Sequence, residues 1–251
     1  MLPVEVLERI LRDVDWTGVK ACSLASRTFY ALARPVLFQK VALSLEPDPK
    51  VSDARGPETS RTSPFFGFLL EDADVASFIR ELSLHEKRSS RADDTASDWQ
   101  SNADNLILLL PKLTRLNHLS IQSSFFSDWT MTNDDLRATI VKLCLLPRLQ
   151  SLQLSFIRLQ QRELSLLTSI PKLTMFCIDF ASDTPMTSAG IPSLSSFPPI
   201  HLQDLTITTR YSDPRPSAIW SLVKTAGSNL TSLRIYSSPF DGMSLLVEGT
   251  K

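Results

Sequence analysis

Residues 149–154 read LQSLQL, and their spacing decides the fold. The apolar positions follow the form apolar-x-x-apolar-x-apolar. The alternation that closes this string has the period of a half-buried strand. The same form recurs as IRELSL (79–84), LNHLSI (116–121), LTMFCI (173–178), LQDLTI (202–207) and LTSLRI (230–235). The intervals between the middle apolar residues, in chain order, are 37, 33, 24, 29 and 28 positions. One such string is a weak signal, but six in order mark a repeat architecture.

The segments between the strings repeat as well. DNLILLLP, DLRATIVKLCLLP, ELSLLTSIP and SAIWSLVKTAGSN read as helices, and each precedes a strand string. Pro111, Pro147 and Pro171 stop three of them, because proline has no N–H to continue the ladder. Gly227 ends the fourth by accepting a left-handed cap conformation. A single unit of helix, break and strand cannot bury both of its apolar faces. Stacked units share one core, with their strands in a parallel sheet. The fold class is therefore α/β.

From 79 to 236 the strings resemble leucine-rich repeats, with the signature L-x-x-L-x-L-x-x-N/C. The resemblance implies an irregular solenoid, with parallel strands on a concave face and helices on a convex face. The N/C position falls on Lys87, Ser124, Ile157, Ala181, Arg210 and Ser238, so the usual Asn or Cys ladder is missing. Polar stretches at 46–64, 86–103 and 181–199 read as loops. After LTSLRIY no convincing capping unit follows, which predicts an open sheet edge and raises the alternative of a truncated receptor.

The start of the chain has a different pattern. MLPVEVLERILRDV predicts a helix over 4–14, with Pro3 near its first position. A second helix is expected over 17–25, capped by Thr17, and a third over 27–33, ending near Pro35. Then LFQKVALSL turns to alternation and predicts a strand. The first helix carries two adjacent apolar stripes: Val4, Leu7, Leu11 and Val14 on one, Val6 and Ile10 on the other. One stripe can pack on sister helices. The other needs a surface outside a module this small, since chains under about 40 residues seldom fold without a staple or partner.

Leu2, Pro3, Glu5, Val6, Leu7, Ile10 and Leu11, followed by Leu24, Ala25, Ser26, Arg27 and Phe29, resemble the F-box motif, with Ala25, Ser26 and Phe29 as departures from its commonest residues. The resemblance implies docking to a Skp-type adaptor and through it to a cullin. It makes Leu2, Pro3, Val6, Ile10, Leu24, Arg27 and Phe29 the adaptor-binding candidates. The domain reading is then an F-box at 1–45, a linker at 46–64, a leucine-rich-repeat-like domain at 65–240 and a tail at 241–251. An F-box followed by such repeats implies a substrate receptor of a cullin–RING ubiquitin ligase, working by proximity rather than side-chain catalysis. A binding scaffold outside ubiquitin transfer is the alternative.

Composition narrows the partners. The 251 residues are 43% hydrophobic with a formal net charge of −1, which supplies no excess cation for nucleic acid or an anionic membrane. No run reaches the roughly 18–20 apolar residues that cross a bilayer, and residues 1–14 carry charges where a signal peptide would be apolar. Cys22, Cys144 and Cys177 lie far apart without metal-ligand spacing, so a cytoplasmic or nuclear protein with reduced thiols is expected.

On the strands, residues between the apolar ones are expected to face the concave side. Among them Arg234, Tyr236, His118 and Gln153 are the substrate-binding candidates, and Met175 and Cys177 are assigned to the same side. Phe125, Phe126 and Trp129 form a second candidate patch. No catalytic motif or cofactor site is apparent. A hydrolase or metalloprotein reading would rest on His85 and His118 as neighbours on adjacent strands, with Glu81 close by.

Overall fold

The structure, a computed structural model, describes residues 3–45, 62–86, 98–128, 133–159, 167–176, 178–180, 201–209, 222–224, 226–237 and 247–250. Three helices open the chain: α1 (Val4–Asp13), α2 (Trp16–Ala25) and α3 (Arg27–Leu37). Pro3 lies just ahead of α1, and its carbonyl accepts from Val6 and Leu7 N–H at 3.1 and 3.2 Å. Asp15, not Thr17, caps α2 by accepting from Gly18 N–H at 2.9 Å. A carboxylate two residues earlier complements the helix dipole and moves the start to Trp16. Ser26 caps α3 through Phe29 N–H at 3.2 Å.

The third helix does not stop at 33 but continues through Pro35. The missing N–H would have paired with the carbonyl of Ala31. Both residues are exposed, so water can satisfy that carbonyl and the break is tolerated. These helices share a small core of their own, in which Leu11, Val19 and Ala33 are the fully buried apolar residues.

The rest of the described chain is a mixed α/β layer pair. The strands β1 (Lys40–Leu45), β2 (Glu81–Glu86), β3 (His118–Asp128), β4 (Ser151–Leu159), β5 (Lys172–Phe176), β7 (Asp204–Thr209) and β8 (Ser232–Ser237) pair in that order, all parallel. The short β6 (Asp179–Phe180) pairs with the far end of β4, and β9 (Val247–Thr250) runs antiparallel to β8. The helices α4 (Thr62–Glu71), α5 (Ala73–Phe78), α6 (Asp98–Leu109) and α7 (Asp134–Cys144) contribute to one core with the inward strand residues.

The register gives the repeat its physical basis. Val41, Leu82, Leu119, Leu152, Leu173, Leu205 and Leu233 line up across the sheet, and so do Leu43, Leu84, Ile121, Leu154, Met175, Ile207 and Ile235. Successive turns are tied through backbone carbonyls. The Gln39 carbonyl accepts from Arg80 and Glu81 N–H at 2.9 and 3.0 Å, the Arg80 carbonyl from Asn117 and His118, and the Asn117 carbonyl from Gln150 and Ser151. The Gln203 carbonyl takes Thr231 and Ser232 in the same way, at 2.8 and 3.0 Å. These backbone bonds do not depend on the identity of the turn side chains.

Several expectations are corrected. The fourth string is IPKLTM (170–175), not LTMFCI, because Leu173 and Met175 complete the two rows; Met175 is buried, not on the open face. Both strings satisfy the apolar template, and only cross-strand pairing chooses between them. The strand 40–45 joins the sheet as its first member, so the sheet begins inside the 1–45 segment. The linker 46–64 overlaps α4, which starts at Thr62; residues 46–61 lie outside the described residues. The loop expected at 86–103 gives way to a helix from Asp98, with Asn102 and Ala103 buried. The edge of β8, expected to be open, is paired with β9, which lies within the segment read as a tail. The loop at 181–199 lies outside the described residues.

One irregularity reshapes the sheet. Pairing of β3 with β4 runs to Gln122–Ser155 and resumes at Ser127–Ile157. Opposite the extra β3 residues sits Phe156, whose φ of +57° is left-handed. The inward positions of β4 are Leu152 and Leu154 before it and Ile157 and Leu159 after it. Phe156 is thereby taken out of the alternation and packs edge-on against Phe176, with ring centroids 5.5 Å apart.

Arg34 joins the helical module to the sheet layer. Its guanidinium hydrogen-bonds Asp72, and it lies 5.5 Å from the Tyr30 ring centroid. Asp72 also caps α5, accepting from Val75 N–H at 3.0 Å. Phe38 and Phe68 rings meet nearby at 5.9 Å. The Val75 N–H, with Arg34 behind it, holds the Asp72 carboxyl below its ordinary 3.8 despite partial desolvation. A depressed carboxylate stabilises the fold fully above 3.8 and loses that contribution as pH falls below 3.8 through the folded value. The expected result is that Asp72→Asn is less stable than the parent at neutral pH and that the gap narrows below 3.8, read from urea midpoints by circular dichroism.

Candidate functional site

The first candidate surface is the outer face of the helical module. Leu11 is 1% exposed, whereas Val6 and Ile10, one turn apart on the adjacent stripe, are 41% and 46% exposed. Val4 shares this exposure, and Pro3 at the head of α1 is exposed too. On α2, Leu24 is 81% exposed and stands two turns from the exposed Trp16. Lys20 lies between them in sequence, its ammonium 5.3 Å from the Trp16 ring centroid.

Of the adaptor candidates, Pro3, Val6, Ile10, Leu24 and Arg27 are all exposed. Phe29 is instead partly buried against the cluster of Leu11, Val19 and Ala33. Leu2 lies outside the described residues. Sequence reading passed over Trp16 and Tyr30. Starting α2 at Thr17 left Trp16 outside the helix; recognising Asp15 as the cap would have included it.

The second candidate surface is the sheet face opposite the helices. His118 pairs with Glu81 and Ser151, Gln153 with Ser120 and Thr174, Arg234 with Thr206 and Glu248, and Tyr236 with Thr208. All four lie on one face, but they do not converge. Between Gln153 and Arg234 stand β5 and β7, a separation of roughly 14 Å. Arg234 and Tyr236 are near neighbours on β8. Tyr236 shares its cross-sheet row with His85, Gln122, Ser155 and Phe176. Phe176 is 39% exposed, an aromatic on a polar face that the misplaced fourth string had turned inward. Ser120 and Ser155 occupy open-face positions yet are buried. Phe125 and Phe126 belong to β3, while Trp129 and Cys177 lie outside the described residues.

The histidine pair is not brought together. His118 stands opposite Glu81, but His85 stands opposite Gln122, four positions along the strand and roughly 13 Å away. His85 Nδ1 is 3.0 Å from Gln122 Oε1. Among the described residues, no group of three or more His, Cys, Asp or Glu is placed to hold a metal ion. Among them, too, no helix is long and apolar enough to cross a membrane.

Burial separates the thiols. Cys144 lies in the main core, and desolvation pushes its thiol up to about 12, whereas Cys22 is partly exposed. Iodoacetamide is expected to alkylate Cys22 in the native protein at least about 100-fold faster than Cys144, with labelling read by peptide mass spectrometry. Equal rates would show that the core around α7 opens freely.

No protein-family model matches the chain, and no curated protein matches it.

Proposed function

We propose that the chain is the substrate receptor of a cullin–RING ubiquitin ligase: an F-box module at its start, joined to an irregular leucine-rich-repeat-like solenoid. In this reading the outer face of α1 and α2 docks on a Skp-type adaptor, and the open sheet face holds a protein substrate. The chain itself is not an enzyme and uses no cofactor; it acts in the cytoplasm or nucleus.

The supporting observation is the disproportion within the module. Three fully buried apolar residues serve three helices, while Val4, Val6, Ile10, Trp16 and Leu24 stay exposed. Exposed apolar groups on this scale cost solubility unless a partner covers them. Parallel strands in register with helices on one face are also what a solenoid of such repeats requires. The test is co-purification from cells. Recovery of both a Skp-type adaptor and a cullin is the expected result. Recovery of the adaptor without the cullin would favour a scaffold outside ubiquitin transfer, and recovery of neither would overturn the assignment.

A further inference from the structure

The net charge of −1 conceals an uneven distribution. The turns that lead into the strands form one edge of the sheet, and that edge is basic. Arg80 precedes β2, Lys112 and Arg115 precede β3, Arg148 precedes β4, and Lys172 opens β5; all five are exposed. Glu81, which opens β2 in the same row as Lys172, is matched by Lys40 of β1 at 2.9 Å, so the cations stay in excess. Two of them lean over the preceding unit. Lys112 Nζ donates to the Leu70 carbonyl at 2.6 Å, and the Arg148 guanidinium donates to the Thr114 carbonyl. Arg115 and Arg148 occupy equivalent places in successive turns, each one residue before a buried leucine. The turns are joined through backbone carbonyls as well, so the stack does not rest on these side chains alone.

From this geometry we infer that the turn edge is an interaction surface for a short acidic peptide segment of a partner protein. Consecutive strands are about 4.8 Å apart, so the cations from β2 to β5 span roughly 14 Å, the reach of four or five extended residues. Guanidinium groups pair well with carboxylates in such a row. A nucleic acid fits less well. No aromatic side chain stands among the five cations to stack a base, and Asp204 opens the next strand, where a continuous polyphosphate would meet repulsion. A peptide can place its carboxylates between these limits. The inference is independent of the proposed adaptor role, which concerns the outer face of α1 and α2.

The test is fluorescence anisotropy of a fluorescein-labelled pentaglutamate peptide titrated with the full chain. Saturable binding is expected at about 50 mM salt, weakened several-fold at about 200 mM. Arg115→Glu/Lys172→Glu is expected to weaken it at least about tenfold. Lys224→Glu, an exposed cation ahead of β8 with no part in either candidate surface, is the neutral control. Circular dichroism checks folding; should the double variant unfold, Arg80→Glu decides, with a loss of at least about threefold expected. The inference is overturned if pentaglutamine binds as well as pentaglutamate, if no variant weakens binding, if no binding is seen at low salt, or if single-stranded DNA of similar length binds more tightly.

Discussion

Changing Val6 and Ile10 together to aspartate is expected to abolish capture of a Skp-type adaptor, by more than about 100-fold in Kd, and to leave the fold intact. Both side chains are more than two-fifths exposed, so folding gains little from them. Covering what remains exposed of each is worth about 0.6–1.4 kcal/mol, and a carboxylate in the same place adds a desolvation cost of about 1–3 kcal/mol. Two such losses exceed the roughly 2.7 kcal/mol that corresponds to 100-fold. The effect on stability stays small, because exposed helix positions cost only about 0.5 kcal/mol on exchange to aspartate. At position 6, in the first turn, the new charge also complements the helix dipole. Isothermal titration with purified adaptor measures the binding, and thermal unfolding checks the fold. Undiminished binding by a folded double variant would remove α1 from the docking surface and take the adaptor reading with it.

The second large effect concerns the core. Leu119→Ala is expected to destabilise the chain by about 2–5 kcal/mol, lowering Tm by about 5–15 °C. Leu119 is fully buried, with Leu82 and Leu152 beside it in the row, so the neighbours cannot close the cavity. Leu233, the last member of the same row, is only partly buried. Its partner on β9 is Gly249, which brings no side chain to cover it. Leu233→Ala should therefore cost less than half as much as Leu119→Ala in parallel urea titrations. Equal losses would mean that the final strand is packed as tightly as the central ones.

The reach of sequence reasoning follows from these packing facts. Positions such as Leu82 and Leu84 are legible because a strand buried on one face must alternate, and the pattern survives whatever the turns contain. The first helix is legible for the same reason, since two stripes at helical spacing announce two surfaces. The fourth string misled because Leu173 belongs to two overlapping templates, and local pattern holds no preference between them. DNLILLLP marks the second half of α6, but its first turns, 98–103, read as loop because they are largely polar; burial of Ala103, Leu106 and Leu109 against the rest of the core is what extends the helix. The inward turn of Phe29 was hidden likewise, since a position on a motif does not say which neighbour fills the space beside it.

Alternation, helix breaks and the count of apolar strings were thus enough to specify α/β units, a parallel sheet and a separate helical tip, because each rests on contacts within a few residues. Which string pairs with which, where β4 reverses its parity at Phe156, how β9 comes to lie beside β8, and which basic turns form one edge all depend on contacts distant in the chain. Those choices are made by cross-strand register and shared burial, which a linear pattern does not encode.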